Sequence, residues 1–346
     1  MLSAHPARIM LRKQREVLLH ITFYALIACI ILVVGKEALV GSKSRTSSDC
    51  NSTLSITSST PFASFARLHL PFTTRPPQIV HLGTDVLPAG NQWTASSSSV
   101  GKVTVMHGKY SPGELPAFDT HLRHSDTHQY PIFVLDRPIV DGLWSKEAVL
   151  LAVLLHEMSK PEENRLRWLM WFDADTLVIN PLVGVETFLP PSDLEGINLI
   201  VTEDWNGLNN GVFIMRVSAW SVSMLTDTLA YPSYKPDEDL PLTEQTAMER
   251  MIQDPRYARN CIFVPPRWFN AYPRDEDETR TKYHVQQGDM MLHFAGIGDR
   301  PKMIRAFHYH VAAGREKWEI PVAETLLPEE TADFWMNVRM QRQRQL

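Results

Sequence analysis

Apolar residues from position 102 onward form short runs separated by polar turns. The runs predict seven strands, at residues 103–106, 130–135, 168–172, 199–202, 212–217, 262–264 and 290–294. Four stretches between them are compatible with helices, at residues 118–129, 145–158, 218–229 and 243–252. Ser145 can cap the second of these helices. Strands that alternate with helices predict an α/β sheet covered by helices on both faces.

The N-terminus has a different pattern. An apolar run from Val17 to Val34 follows four basic residues, Arg8, Arg12, Lys13 and Arg15. Such a run is near the lower limit for spanning a bilayer, and basic residues on its N-terminal side would keep that side in the cytosol. We expect a cytosolic tail at residues 1–16 and a signal-anchor transmembrane helix at residues 17–35. A cleaved signal peptide and a buried core helix are the alternatives.

Polar segments flank the predicted α/β domain. Residues 36–99 are rich in Ser, Thr and Pro, a composition that buries too little apolar surface to fold alone. We expect a lumenal stem there, with a glycosylation sequon at Asn51. The catalytic domain is expected at residues 100–318. Residues 319–346, which end in several arginines, are expected to form a C-terminal tail without regular structure.

Charge and cysteine content narrow the class of protein. The net charge of −5 argues against a nucleic-acid-binding protein, which would usually carry a basic stripe. Three cysteines are too few for a disulfide framework. Cys29 lies in the N-terminal apolar run, and Cys50 and Cys261 either pair in an oxidising lumen or remain free thiols.

The candidate chemistry begins directly after the strand at residues 168–172, with Asp173-Ala174-Asp175. Two carboxylates one residue apart at a strand end can share a hard divalent cation and approach a diphosphate through it. Open α/β sheets bind ligands at the carboxyl ends of their strands. The alternative is a strand-end turn with a capping aspartate. Two further Asp-x-Asp triplets begin at Asp237 and Asp275, in polar stretches that we interpret as solvated loops.

Six strings in one order carry a resemblance to a known family. They are PIVDGLWSKEAVLL (138–151), WFDADTLVINP (171–181), DWNGLNNGVFIMR (204–216), EQTAM (244–248), PPRWFNAYP (265–273) and GDMMLHFAG (288–296). They resemble glycosyltransferase family 34, which holds fungal Golgi galactosyl- and mannosyltransferases and plant xyloglucan xylosyltransferases; the likeness is closer to the fungal branch. The resemblance implies a GT-A (Rossmann-like) single catalytic domain with a mixed sheet, Mn²⁺ as cofactor, and retention of anomeric configuration.

The resemblance also implies a set of metal and donor residues. Asp173, Asp175 and His293 match the family's metal ligands, and Asp173 also matches a nucleotide-sugar contact. Imidazole and carboxylate are acceptable Mn²⁺ ligands. Lys146 matches a lysine at the start of a helix, where the helix N-terminus favours anions; a plain surface lysine is the alternative.

Further residues match the sugar-binding part of the family. Asn209, Asn210 and Gly211 match a segment that approaches the sugar or the acceptor; a turn is the alternative. Glu244-Gln245 stands where many relatives have Asp-Gln. Glu244 and Asp204 are candidates near the reacting sugar, with Glu244 slightly favoured, and Gln245 and Asn210 complete the catalytic set.

One position departs from the plant relatives, which carry a lysine shortly after the strand histidine. Here that position is Gly298, and the nearest cations are Arg300 and Lys302; the sequence does not choose between them as contacts to the diphosphate.

Three histidines in the first predicted helix have a plainer interpretation. His124 and His128 are four residues apart and would share one helical face, as zinc ligands can. A carboxylate motif that would complete such a site is not nearby. We therefore expect these two residues and His121 to be exposed.

The resemblance implies a retaining, Mn²⁺-dependent transferase of galactose from UDP-galactose or mannose from GDP-mannose. The expected acceptor is a glycan, mannose-rich by resemblance, and the new linkage is α. The protein is expected in the Golgi membrane as a single-pass type II protein with a lumenal catalytic domain, with other Golgi glycosyltransferases as candidate partners. The alternatives are a catalytically silent scaffold subunit and a carbohydrate-binding module.

Overall fold

The computed structural model of the protein describes residues 79–82, 99–107, 113–274 and 281–344. The predicted cytosolic tail, signal anchor, Cys50 and Asn51 lie outside these ranges. Within them, every helix is too short or too polar to cross a membrane. All the described residues belong to one compact unit, Ala66–Leu346.

Nine strands occur in the described residues. They are β1 (Ile79–Leu82), β2 (Val100–Val105), β3 (Ile132–Leu135), β4 (Trp168–Phe172), β5 (Thr176–Val178), β6 (Leu199–Asp204), β7 (Gly207–Arg216), β8 (Cys261–Phe263) and β9 (Met291–His293).

The same residues contain eight α-helices. They are α1 (Glu114–His128), α2 (Ser145–Ser159), α3 (Ala219–Tyr234), α4 (Glu244–Gln253), α5 (Pro255–Ala258), α6 (Arg300–Ala313), α7 (Arg315–Trp318) and α8 (Leu327–Gln343). Short 3₁₀ turns lie at Gly142–Trp144, Glu162–Asn164, Val185–Phe188, Ser192–Leu194, Pro266–Trp268 and Val322–Glu324.

Seven of the described strands form a mixed sheet in the order β1-β3-β2-β4-β7-β6-β8. All neighbours in it are parallel except β7, which runs antiparallel to β4 and β6. The carboxyl ends of six strands therefore share one edge with the beginning of β7. Strands β5 and β9 form a separate antiparallel pair in which Thr176 lies opposite His293. The predicted mixed α/β architecture is confirmed.

Burial explains why the apolar runs become strands. β4, WLMWF, is buried along its whole length, as expected for a strand covered on both faces. Alternate residues on one face of the sheet, including Val103 and Phe213, pack with α2, α3 and α4 in the main core. A second core around Leu177, Leu292 and Phe294 joins the β5–β9 pair to α6.

Both predicted boundaries of the domain are wrong in part. β1 pairs with β3 inside the segment that we expected to be a stem. At the other end, the expected tail contains α8, on which Leu327, Trp335 and Val338 are buried. Their spacing places them on one helical face, and burial of that face holds the segment on the domain.

Two local predictions are also wrong. Ser145 does not cap α2; its hydroxyl donates to the carbonyl O of Val140 at 2.8 Å, and the N-cap residue is Trp144. His121 and His124 are buried rather than exposed, and His128 is half-buried. Their face of α1 packs against the sheet, where Lys102 supplies a partner.

Cys261, in β8, is a free thiol in the structure. Its Sγ lies 3.4 Å from the carbonyl O of Tyr257, and burial raises the pKa of this thiol to about 12.

Candidate active site

The Asp-x-Asp motif lies at the shared edge of the main sheet. The backbone N–H of Asp173 donates to the carbonyl O of Gly211 at 2.8 Å, so the end of β4 is joined to the middle of β7. The backbone N–H of Phe294 donates to the carbonyl O of Asp175 at 3.1 Å, which joins the motif to the end of β9. Residues distant in sequence therefore meet at one point because the ends of β4 and β9 lie together beside the middle of β7.

Asp173, Asp175 and His293 form a candidate metal site. One ligand atom from each lies within 4.8 Å of the others. Asp175 and His293 are buried, while Asp173 is partly exposed. Two carboxylates and an imidazole are a donor set suited to a divalent transition metal such as Mn²⁺. The residues thus fit the cofactor that the sequence predicts.

The orientation of His293 is fixed by its neighbours. The side-chain amide N of Asn270 donates to Thr202 Oγ1 at 2.6 Å and to Asn209 Oδ1 at 3.1 Å, so the amide oxygen must face His293. His293 Nδ1 donates to that oxygen at 2.8 Å. Nε2 is left facing Asp175 Oδ1 at 3.4 Å. An unprotonated Nε2 would present its lone pair beside the carboxylate, as a metal ligand must.

The charge of Asp175 is stabilised despite its burial. Burial alone would raise the pKa of this carboxyl, but His293 in its protonated form and the Arg300 guanidinium outweigh burial and lower the pKa to about 2. Arg300 Nη1 lies 2.8 Å from Asp175 Oδ2. The carboxylate therefore remains ionised and available to a cation throughout the neutral range.

Gly211 is the position where β7 passes closest to His293. A Cβ at this residue would lie 2.7 Å from both ring nitrogens of His293 and closer still to Cε1. A side chain cannot fit there without displacing the imidazole. The glycine is therefore required by the approach of backbone and ligand.

Lys146 is a buried lysine at the first turn of α2. Its Nζ lies 3.4 Å from Asp173 Oδ1 and 3.2 Å from Glu244 Oε1, and donates to Asn210 Oδ1 at 3.0 Å. Burial alone would lower the pKa of Lys146, but the carboxylates of Asp173, Glu244 and Glu147 raise it. The ammonium group is therefore a fixed positive charge beside the Asp-x-Asp motif, and the alternative of a surface lysine is excluded.

Two buried carboxyl groups lie close to this lysine. Burial raises the pKa of Glu147 to about 8, and neither of its oxygens has a hydrogen-bond partner among the described residues. Glu244 is also buried, and its Oε2 likewise lacks a partner there. Burial thus favours the protonated form of Glu147, whereas the charge of Lys146 favours its carboxylate. The sequence did not single out Glu147, since a glutamate in the first turn of a helix is common on exposed surfaces.

A pocket of about 880 Å³ opens beside these groups. The described residues of its wall include seven of the predicted site residues: Lys146, Asp173, Asp175, Asn210, Glu244, Gln245 and Arg300. Three helices begin at the wall, α2 at Ser145, α4 at Glu244 and α6 at Arg300. Helix N-termini carry partial positive charge and free N–H groups, so their convergence favours an anion in the pocket.

Unusual backbone precedes two of these helix starts. Thr243 (φ 53°) comes directly before Glu244, and Asp299 (φ 47°) comes directly before Arg300. Positive φ is costly for a β-branched residue such as Thr243. Both residues turn the chain so that a charged side chain starts its helix at the site. Lys302, the other candidate cation, is exposed and lies outside the described wall of the pocket.

Asp204, Asn209 and Tyr272 form a polar network on the other side of β7. Asn209 Nδ2 donates to Asp204 Oδ2 at 2.9 Å, and the Tyr272 hydroxyl donates to the same carboxylate oxygen at 2.8 Å. Burial and the Asp204 carboxylate raise the pKa of Tyr272. Asn210 points instead to Lys146, because successive strand residues face opposite sides. Of the two candidate carboxylates near the sugar, Glu244 lines the pocket, whereas Asp204 lies outside its described wall.

A buried network of Thr176, His121 and Lys102, which the sequence did not predict, holds the Asp-x-Asp turn through the backbone of Asp173. Thr176 Oγ1 donates to the carbonyl O of Asp173 at 2.7 Å and accepts from His121 Nε2 at 2.9 Å. His121 Nδ1 then accepts from Lys102 Nζ at 2.9 Å. Lys102 also donates to His124 Nδ1 at 3.2 Å, and burial lowers the pKa of this lysine. The signal for this network was a lysine inside the apolar strand GKVTV.

Comparison with known proteins finds related sequences over part of the chain. The profile of the galactosyl transferase GMA12/MNN10 family matches residues 192–302. The chain is 27% identical over 191 residues to a probable alpha-1,2-galactosyltransferase gmh1 of Schizosaccharomyces pombe. The alignment covers 46% of this chain and 54% of that protein. It is 24% identical over 162 residues to a probable alpha-1,6-mannosyltransferase MNN10 of Saccharomyces cerevisiae, covering 37% of this chain and 41% of that protein.

Among solved structures, a glycosyltransferase involved in glycosylation of the major capsid of PBCV-1 has a TM-score of 0.48 and 14% identity, and covers 60% of this chain and 98% of that one. The chain spans about half the length of the curated relatives it matches. Over residues 192–302, the chain is therefore similar to the galactosyl transferase GMA12/MNN10 family, and its curated relatives are named as galactosyl- and mannosyltransferases.

Proposed function

We propose that this protein is a retaining, Mn²⁺-dependent glycosyltransferase of GT-A fold that moves a hexose from a nucleotide sugar to a glycan. The convergence of Asp173, Asp175 and His293 beside a pocket of about 880 Å³ carries the proposal. The donor is UDP-galactose or GDP-mannose, because the relatives are named as both galactosyl- and mannosyltransferases. The acceptor is a mannose-rich glycan, and the linkage formed is α.

The donor's diphosphate fits the charges of the pocket. Asp173, Asp175 and His293 would hold Mn²⁺, which when bound supplies a Lewis acid that offsets the charge of the leaving nucleoside diphosphate. Lys146 is buried and positively charged, so it stabilises anionic oxygens without a large change in solvation. Arg300 begins α6 at the pocket wall, and its guanidinium lies 2.8 Å from Asp175 of the candidate metal site. Because Lys302 lies outside the described wall, Arg300 is the cation better placed for the diphosphate.

The arrangement also assigns positions around the donor sugar. Glu244 faces the pocket through one oxygen held by Lys146 and one oxygen with no partner among the described residues. Gln245 Oε1 accepts from the backbone N–H of Asn210 at 3.2 Å, which fixes this strand against α4. We assign Glu244 to the face of the reacting sugar, with Asn210 and Gln245 positioning it. Retention follows if the acceptor hydroxyl enters on the face that the diphosphate leaves.

The scaffold alternative has less support. A subunit without catalysis has no need of a buried Asp175 with a pKa of about 2, a histidine oriented by Asn270, and a buried lysine beside them. Such groups cost stability unless they bind something. A carbohydrate-binding module would likewise need no site for a diphosphate.

We further propose that the protein is a single-pass type II protein of the Golgi membrane, anchored by residues 17–35. The basic residues before that run and the Ser/Thr-rich segment after it support this topology. Other Golgi glycosyltransferases are candidate partners.

The test uses the full chain and two aspartate variants. UDP and GDP binding is measured by calorimetry with Mn²⁺ and with a chelator, and turnover is measured with UDP-galactose and GDP-mannose. We expect metal-dependent binding of one nucleotide and turnover of its sugar. Asp175→Asn should lower turnover on the order of 100-fold or more, because metal ligation contributes several kcal/mol.

Asp239→Asn is the matched control, since Asp239 ends an exposed Asp-x-Asp triplet. It should behave as the wild type. If Asp175→Asn keeps both metal-dependent binding and turnover, the proposed site is wrong. If the wild type binds a nucleotide with Mn²⁺ but turns over neither donor, the result supports the alternative of a catalytically silent scaffold subunit.

A further inference from the structure

An exposed aromatic surface lies beside the candidate metal site, and the proposed donor chemistry does not use it. Among the tryptophans in the described ranges, Trp205 alone is exposed, with 64% of its surface accessible. It lies at the turn between β6 and β7, at the same edge of the sheet as the Asp-x-Asp motif. An exposed tryptophan at such an edge is a common feature of binding surfaces.

The neighbours of Trp205 give this surface a fixed shape. The ring of Trp205 lies 4.8 Å from that of Tyr272, tilted by 42°, and 5.8 Å from that of Tyr283, nearly perpendicular to it. Tyr272 is buried and held by Asp204 and Asn209 through its hydroxyl. We call Trp205, Tyr272 and Tyr283 the aromatic ledge.

The ledge continues to the candidate metal site. The ring of Tyr272 is stacked at 6.4 Å and 28° on that of His293, whose Nε2 faces Asp175. The described wall of the donor pocket includes neither Trp205 nor Tyr272. The ledge therefore meets the metal ligands at His293, beside Asp175, which lines the donor pocket.

We propose that the aromatic ledge binds a sugar ring of the acceptor glycan and directs its hydroxyl toward the donor sugar. This inference rests on the proposed function. A sugar ring has apolar C–H faces and a rim of hydroxyls, so it matches a flat aromatic surface bordered by hydrogen-bonding groups. Asp204 at the edge of the ledge supplies a partly exposed carboxylate to accept from hydroxyls. A protein partner would need a wider apolar patch than one tryptophan provides.

The turn that carries Trp205 suits this role. The backbone N–H of Asn206 donates to Asp204 Oδ1 at 2.6 Å, and Gly207 has a φ of 105°, which favours glycine. The hydrogen bond and the glycine turn the chain sharply, so that the indole is presented on a short, constrained loop. A rigid aromatic contact binds with a small loss of conformational entropy.

The first experiment measures glycan binding to the full chain by saturation-transfer NMR. The probes are α-linked mannotetraose, cellotetraose and galactobiose, without donor. We expect mannotetraose to bind the wild type and Trp205→Tyr, and not to bind Trp205→Ala. Equal binding to wild type and Trp205→Ala, or binding of no probe to the wild type, would overturn the proposal.

The second experiment separates the ledge from the donor site. With the bound probe as acceptor, Trp205→Ala should raise the acceptor KM about tenfold or more, equivalent to about 1.4 kcal/mol, and leave the donor KM and Mn²⁺-dependent nucleotide binding unchanged. Tyr309→Ala, which removes an exposed aromatic residue from α6, is the control and should change neither constant. An unchanged acceptor KM in Trp205→Ala would reject the ledge.

Failure of the proposed function gives a different result. In that case the wild type would turn over neither UDP-galactose nor GDP-mannose, whereas the NMR comparison of wild type with Trp205→Ala would still decide whether the ledge binds glycan.

Discussion

At the scale of single residues, the site depends on side chains held in one orientation by contacts from other strands. His293 is the clearest case. Asn270 orients its ring through a hydrogen bond, and Gly211 leaves the space that the ring occupies because it has no side chain. A ligand is useful to a metal only when its lone pair points to the ion. Substitutions that touch none of the three metal ligands should therefore still disturb the site.

Gly211→Ala tests this point. The added Cβ would overlap the imidazole of His293, so the ring must move away from Asp175. We expect Mn²⁺-dependent nucleotide binding to weaken about tenfold or more, corresponding to about 1.4 kcal/mol or more, in a protein that remains folded by circular dichroism.

Gly298→Ala is the matched control for this substitution. A Cβ there meets no heavy atom within 4 Å and the residue does not need a positive φ. Its nucleotide affinity should equal that of the wild type. Unchanged affinity in Gly211→Ala would show that His293 is not held by this contact.

A second residue-scale prediction concerns the buried histidines. Burial, followed by the charge of Lys102, lowers the pKa of His124 well below its ordinary 6.5. The unfolded chain therefore binds a proton below pH 6.5 that the folded chain excludes. The stability contributed by the neutral histidine is complete above pH 6.5 and is lost as the pH falls, by about 1.4 kcal/mol per pH unit.

Urea unfolding at pH 7.5 and pH 5.0 measures this effect by comparison with His124→Gln. Relative to the wild type, the variant should gain about 2 kcal/mol in free energy of unfolding when the pH is lowered over this range. His310→Gln, at an exposed position on α6, controls for the substitution itself. A difference between wild type and His124→Gln that is the same at both pH values would contradict the prediction.

At the scale of secondary-structure elements, α8 shows that the domain extends beyond its predicted end. Arg267 connects it to the fold, with Nη1 at 2.9 Å from Glu330 on α8 and Nη2 at 2.9 Å from Asp289. Trp335 is buried and its ring lies 6.5 Å from that of Trp268, which is fully buried. The helix therefore covers part of the interior.

Trp335→Ala and Met336→Ala form a matched pair of neighbours on this helix. Trp335→Ala should lower the free energy of unfolding by about 3–5 kcal/mol, because it removes a large side chain from the interior. Met336 is 48% exposed, so its removal should cost less than about 1 kcal/mol. Similar small losses for both variants, measured by urea unfolding, would mean that α8 is a loosely attached tail.

The same comparison shows which elements can be predicted from sequence. β4 has the predicted bounds because five consecutive apolar residues leave no polar face to mark a helix or an exposed strand. α8 was missed because its buried residues are separated by charged ones, and its basic end resembles a disordered tail. β1 was missed because it lies in a segment whose overall composition is that of a linker.

Some residues of the candidate site could be predicted from the sequence and others could not. Asp173, Asp175 and His293 were predictable because the strings that contain them resemble a family. The network of Lys102, His121 and Thr176 was not, since its members come from three elements that only tertiary packing brings together. Trp205 was not singled out either, because a tryptophan in a polar turn gives no sign of whether it is buried or exposed.

At the scale of the whole molecule, the site lies where two cores meet. The main core packs α2, α3 and α4 on one face of the large sheet, and includes Leu154. The second core joins β5 and β9 to α6, and includes Leu292. Asp173 follows β4 of the large sheet, whereas His293 ends β9 of the small one. The distance between the ligands therefore depends on how well the second core is packed against the end of the large sheet.

Leu292→Ala and Leu154→Ala distinguish the roles of the two cores. Both leucines are fully buried, so each substitution should cost about 2–5 kcal/mol in free energy of unfolding. Leu292 lies opposite Leu177 and directly before His293, and the cavity left there should let the histidine move relative to Asp175. We expect Leu292→Ala to weaken Mn²⁺-dependent nucleotide binding several-fold, and Leu154→Ala to leave it unchanged. Calorimetry under conditions where both variants are folded measures this difference. Equal affinities in the two variants would mean that the ligands are held by their local hydrogen bonds alone, since loss of packing behind β9 would then not reach the metal site.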